Sequence, residues 1–374
     1  MLSDVLAAYD LPEEHCSIQP FGNGLINNTW KIGYLGRSYI LQRINQHVFR
    51  DPFAIAENIE TVGNYLQELH PSYLFVHPIA TAAGQTIIQD EQHGYFRLFP
   101  FVEHSHTIDV VKTTTQAFEA AAQFGRFTRL LSGFDPEKLH ITLPDFHNLS
   151  LRYHRFTEAV QKAGAPRKDQ AREVIEFLIA QEEIVQTWLD IQQNPAFKKR
   201  VTHHDTKISN VLFDASDKGL CVIDLDTVMP GFFISDVGDM MRTYLSPVSE
   251  EETDFSKIGV RDDYFMAIVN GYLGETREEL SAEEKKYFIY AGKFMIFMQA
   301  IRFLTDYLQD DVYYGQQYEG HNLKRAGNQA TLLQKLTEKE EQLLKSIAGM
   351  ESNLYFHDPS AGWENLQRWA RPCS

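Results

Sequence analysis

A chain of 374 residues with 43% hydrophobic content has enough apolar surface for a sizeable core, in two domains or one two-lobed unit. Its formal net charge of −16, with no basic run, excludes a nucleic-acid surface, which needs clustered Lys and Arg. Cys16, Cys221 and Cys373 are too scattered for a disulfide framework or a zinc spacing, and the first residues lack the regions of a signal peptide, so a cytoplasmic location is expected.

Residues 3–9 predict a short helix with Ser3 as cap, closed off by Pro12. Gly22 and Gly24 then permit a tight turn between flanking strands, either a phosphate-covering turn or an ordinary hairpin, because Gly-x-Gly alone is a weak signal. Strand alternation over residues 38–45 puts Tyr39, Leu41 and Arg43 on one face. Residues 52–69 predict a helix with Asp51 as cap, carrying Glu57 and Glu60. Residues 75–80, 86–89 and 95–103 read as further strands, completing a small, mostly antiparallel sheet.

Strand-rich sequence ends at residues 98–103, and helices follow over 115–131, 150–163, 169–191, 283–308 and 330–350. The expected fold is α+β and bilobal, with a sheet-based lobe at 1–102 and a larger, mainly helical lobe at 103–374. The apolar segment 287–308 is interrupted by Lys293, Gln299, Arg302 and Asp306, so a helix inside the protein is expected rather than a membrane span. Arg302 and Asp306, four residues apart, suit an intrahelical ion pair. Trp363 and Trp369 in the tail read as docking aromatics.

Between the third and fourth of those helices stand His203, Asp205 and Asn210, in the H-x-D-x-x-x-x-N spacing of a phosphotransfer loop. In such a loop the Asp meets the attacking hydroxyl and the Asn holds a metal. Asp224, closing the next β-like run, stands where the second metal-binding carboxylate belongs. In a kinase-like lobe Arg43 would supply the cation for the nucleotide phosphates, paired with Glu57 or Glu60, and the alternative is an edge-strand arginine. Pro100 has no N–H, so Phe101 or Val102 would donate to adenine at the hinge. Asp236 and Asp239 read first as braces of the catalytic loop, and His203 as a brace of its backbone. The pairs His104/His106 and His203/His204 lack a metal-binding spacing.

These segments resemble the aminoglycoside phosphotransferase and choline kinase superfamily, small-molecule kinases of protein-kinase-like fold, and within it the N-acetylhexosamine 1-kinase group. Residues 39–45, 201–207, 223–231, 302–308 and 321–323 carry the likeness. The resemblance implies ATP and Mg2+ as cofactors, Asp205 as catalytic base, Asn210 and Asp224 as magnesium ligands, and Arg43 with Glu60 as the phosphate-side pair. It places Arg302, Tyr313 and Tyr314 near a sugar acceptor phosphorylated at its anomeric hydroxyl. Asn23 and Leu25 stand where the group carries Asp and His, and His204 where relatives carry Gly or Asn, so these positions are expected to tune the acceptor. A choline or aminoglycoside kinase, or a silent nucleotide- or sugar-binding protein, are the alternatives.

Overall fold

The computed structural model describes residues 2–22 and 26–355. Asn23, Gly24, Leu25, Trp363 and Trp369 lie outside the described residues. A short helix α1 (Ser3–Ala7) precedes a five-stranded antiparallel sheet of β1 (Ser17–Pro20), β2 (Asn28–Tyr34), β3 (Arg37–Ile44), β4 (Ile88–Asp90) and β5 (Gly94–Pro100), in spatial order β1-β2-β3-β5-β4. Helix α2 (Pro52–Leu69) is inserted between β3 and β4. Asp51 caps it as expected, accepting from Ala54 N at 3.1 Å, a contact of about 1 kcal/mol.

The two faces of the sheet have different jobs. Trp30, Leu41 and Leu98 are cross-strand partners and share one face, against which Val5 and Leu6 of α1 pack to form a small separate core. Thr29, Gln42 and Arg97 are also cross-strand partners and occupy the opposite face, towards the helical part. Residues 75–80 are no strand: only Ile79 bridges to Leu98. Pro78 has no N–H for a ladder, and Phe75 and His77 instead lie against Gly63 of α2.

The helical part begins with α3 (Thr114–Leu130), capped by Thr113, and α4 (Leu149–Lys162), capped by Asn148. Where one helix over 169–191 is expected, three short ones stand: α5 (Ala165–Gln170), α6 (Arg172–Ile179) and α7 (Glu183–Gln193). The apolar stripe Ala171, Ile175, Leu178 meets exposed Glu182 at its next turn, so continuing the helix would bring a carboxylate to the core. The chain then crosses two small two-stranded sheets, built from β6 (Arg200–Thr202), β7 (Val211–Phe213), β8 (Gly219–Val222) and β9 (Met229–Gly231).

Helices α8 (Phe233–Tyr244), α9 (Asp262–Thr276), α10 (Ala282–Lys285), α11 (Phe288–Leu308) and α12 (His321–Tyr355) complete the described fold. Glycines let α9 approach α3 closely, since a Cβ on Gly271 would sit 2.5 Å from Phe118 O. Helix α11 is long and apolar enough to cross a membrane, yet most of it is buried between α4, α8 and α12.

Candidate active site

Strand β6 brings the chain to His203, and β7 carries it away from Asn210. Between them the loop backbone has no ladder to satisfy it, and buried amides need partners. Two carboxylates from α8 supply them. Asp236 accepts from His203 N at 3.1 Å and His204 N at 2.7 Å, and Asp239 accepts from Thr206 N at 2.9 Å. Tyr244 donates its hydroxyl to Thr206 O at 2.7 Å. Both acids act as braces of the loop, as their sequence context predicts.

The His203 ring is buried and faces the Ile223 carbonyl at 2.9 Å, which assigns the proton to Nε2 and leaves Nδ1 to accept from Asp205 N at 3.4 Å. Burial depresses its pKa, so this neutral tautomer is held. The Asp205 side chain is 22% exposed, and its Oδ1 lies 3.2 Å from Lys207 Nζ. Burial opposes ionisation of Asp205, but Lys207, His203 and Arg242 outweigh it and hold the carboxyl below its ordinary value. Lys207 is raised in turn by Asp205.

Hairpin β7–β8 fixes the other two acidic-site positions. Val211 pairs with Val222, and Ile223 N donates to Asn210 O at 2.9 Å, so Asn210 and Asp224 sit at the same end of the hairpin. Asn210 Nδ2 donates to Asp205 O at 2.9 Å, leaving its Oδ1 as a free acceptor. Asp224 adopts a left-handed backbone, φ 60°, and opens to solvent with no hydrogen-bond donor on its carboxylate among the described residues. Surrounding protein, then Asp226 and Asp205, push its pKa up to about 7. Bare oxygen donors with surplus negative charge fit a hard divalent cation such as Mg2+.

The sheet meets the turn that follows β8, Leu225–Thr227, through Arg97. Its Nη1 lies 2.5 Å from Asp226 Oδ1, with both side chains almost fully buried. Gln42 Oε1 accepts from Arg97 Nε and Nη2 at 3.1 and 2.9 Å, and Asn27 Nδ2 donates to Asp226 Oδ2 at 2.8 Å. Here the structure corrects the expected phosphate-side pair. Arg43 is on the α1 side of the strand and bonds Asn28 Oδ1 at 2.7 and 3.1 Å, while Glu60 is exposed, and no ion pair joins them among the described residues. A one-residue offset along a strand reverses the face: Gln42, not Arg43, is on the face towards the helical part.

Other expected positions divide similarly. Gly22 takes a left-handed turn, φ 76°. The Phe101 N–H is consumed by Ser38 O at 3.1 Å, so of the two expected hinge donors it is already engaged. His204 is 5% exposed, and its ring packs on Gly231 and on His147, Nδ1 to Nδ1 3.4 Å, so it is enclosed by protein rather than presented at the surface. His147 in turn lies 3.0 Å from Ser235 Oγ. Burial takes the His204 pKa down to about 4 and that of His147 well below the ordinary value.

The expected Arg302–Asp306 ion pair is absent. Asp306 instead accepts from Tyr313 N at 2.7 Å and Tyr314 N at 2.9 Å, fixing that loop on α11. Arg302 is left with Gln299 Oε1 at 3.2 Å and the Tyr314 ring at 5.6 Å, so it does stand beside the predicted tyrosine pair. Lys207, Arg97, Asp226 and His147 are site residues that spacing did not single out. Lys207 and Asp226 stood two residues beyond Asp205 and Asp224, whereas nothing in sequence links His147 to His204.

The fold is shared with known kinases. An amicoumacin kinase, solved with AMP-PNP and Ca2+, matches with a TM-score of 0.59 and 13% identity, over 90% of this chain and 92% of that one. A microcompartment-associated aminopropanol kinase matches at 0.57 and 16% identity, over 91% and 97%. Choline kinase from Cryptosporidium parvum Iowa II matches at 0.54 and 14%, over 91% and 96%. Residues 17–279 match the model of the phosphotransferase enzyme family, well over half of the chain, and this protein belongs to that family.

Proposed function

We propose that the protein is an ATP-dependent small-molecule kinase that phosphorylates the anomeric hydroxyl of an N-acetylhexosamine or related hexose. The observation that carries the phosphotransfer reading is Asp205, ionised beside Lys207 and tied through its carbonyl to Asn210, at the end of the hairpin that presents Asp224. The acceptor oxygen attacks the γ-phosphorus, the bond from phosphorus to the bridging oxygen breaks, and ADP leaves. Asp205 aligns the hydroxyl and takes its proton late, because a loose transition state needs positioning more than base strength. The C1–O bond is untouched, so the anomeric configuration is retained.

Asn210 Oδ1 and Asp224 would hold Mg2+, which supplies charge neutralisation on the transferring phosphoryl group. The Ca2+ and AMP-PNP bound to the amicoumacin kinase support a nucleotide and divalent-ion requirement here. Sugar rather than choline or an aminoglycoside is favoured by the charge beside His147 and Tyr314. Arg152 and Arg302 lie there without a carboxylate partner among the described residues, and they would repel a cationic acceptor. Incubation with ATP, Mg2+ and a panel of hexoses, N-acetylhexosamines, choline and aminoglycosides tests this. Transfer to sugars alone supports it, and transfer to the amines alone refutes it.

A further inference from the structure

Several half-buried arginines in the helical part are matched to acids, and Arg261 is satisfied instead by the Leu245, Tyr244 and Ser246 carbonyls. Arg167 meets Asp311 at 2.8 Å, Arg242 meets Asp239 at 3.0 Å and Glu250 at 2.8 Å, and Arg325 meets Glu250 and Glu251. In a chain with 51 Asp and Glu against 35 Lys and Arg, an unmatched pair is informative. Arg152 on α4 and Arg302 on α11 are such a pair. Arg152 Nη2 donates to Asp145 O at 3.1 Å, while its Nε is enclosed with no hydrogen-bond partner. Arg302 has the neutral Gln299 carboxamide and the Tyr314 ring.

Helices α4 and α11 pack directly against each other, which brings the two guanidinium groups close enough to act on each other. Burial, then Arg302 and Arg155, lower the Arg152 pKa, and the opposing influences come from Tyr313 and Tyr314 rather than from any acid. His147, half-buried and neutral beside His204, feels Arg302, Arg242 and Arg152 together. This ties the pair to the loop that carries Asp205, since Arg242 holds Asp239 and Asp239 holds Thr206. An unpaired buried donor costs free energy until a ligand meets it, and forked guanidinium groups match planar or tetrahedral oxyanions.

We propose that Arg152 and Arg302 form an anion subsite at the acceptor end of the cleft, which takes a carboxylate or phosphate borne by the acceptor away from its reacting hydroxyl. This rests on the sugar-kinase reading and narrows it to acidic sugars. The test is steady-state kinetics with glucose, N-acetylglucosamine, glucuronic acid and glucose 6-phosphate, for the wild type, Arg152→Gln, Arg302→Gln and, as control, exposed Arg155→Gln. An acidic acceptor should show a KM below that of the neutral sugars by roughly tenfold or more, as for loss of a charged hydrogen bond. That advantage should vanish in the first two variants and persist in the third, with KM for ATP unchanged.

Preference for the uronic acid or for the sugar phosphate distinguishes a carboxylate from a phosphate ligand. Neutral sugars used as well as both acids, or equal losses on every acceptor in the variants, would overturn the subsite while leaving the sugar kinase standing. If no sugar is phosphorylated, the sugar-kinase reading fails. Calorimetric titration with glucuronic acid and glucose 6-phosphate then decides the subsite: binding lost in Arg152→Gln and Arg302→Gln supports it, and absent or unaltered binding overturns it.

Discussion

The Arg97 guanidinium and the Asp226 carboxylate meet 2.5 Å apart, buried between the sheet and the turn that follows β8. Removing one partner leaves an uncompensated charge, so Arg97→Met should destabilise the fold by about 3–5 kcal/mol, whereas Arg97→Met with Asp226→Leu should recover much of that loss. Urea denaturation of Arg97→Met, Asp226→Leu and the double variant measures it. Additive losses would mean that the two charges do not act as a pair.

Lys207 is the group that most lowers the Asp205 pKa. Removing the ammonium should let that pKa rise. Asp205 must be ionised to take the hydroxyl proton, so the acidic limb of the kcat/KM profile should move to higher pH in Lys207→Met. An unmoved limb with reduced rate would confine Lys207 to phosphate contact.

His204 is neutral in the fold, with its pKa depressed from 6.5 to about 4 by burial first and His203 second. The unfolded chain therefore binds the extra proton as pH falls below 6.5, and the folded chain does not. Stability is fully present above that pH and drops on acidification towards pH 4, by roughly 2–3 kcal/mol from this residue. Thermal melts should show the decline, and His204→Asn should flatten it.

Strand register puts Gln42 and Arg97, and not Arg43, on the face towards the helical part. Arg43→Gln and Glu60→Gln should leave KM for ATP within about twofold, while Gln42→Ala, which frees Arg97, should raise it by more. Equal effects at Arg43 and Gln42 would contradict the strand register.

Much of this fold was legible from local signals. Asp51 with Pro52 started α2 where expected, and the alternation over residues 38–45 located β3. The placement of Asp205, Asn210 and Asp224 at one end of the hairpin was legible because it rests on short, fixed spacings within one loop and hairpin. Alternation identifies two faces of β3 without saying which one meets the helical part, and α1 settles that by packing on Leu41 and Leu98, the face that Arg43 shares. Asp306 was misread because an i,i+4 arginine is visible in sequence, whereas the Tyr313 and Tyr314 amides it caps become its neighbours only when the chain turns back after α11. The pairing of His147 with His204 and of Arg152 with Arg302 depends on helices brought together by tertiary packing, which no local pattern encodes.

The most direct test of the central claim is phosphorus NMR of the product formed from ATP, Mg2+ and a hexose acceptor, run in parallel with Asp205→Asn. A sugar 1-phosphate of retained anomeric configuration is expected, with loss of most turnover in an Asp205→Asn variant that melts like the wild type. Near-normal turnover in Asp205→Asn, or an ester at another hydroxyl, would contradict the claim.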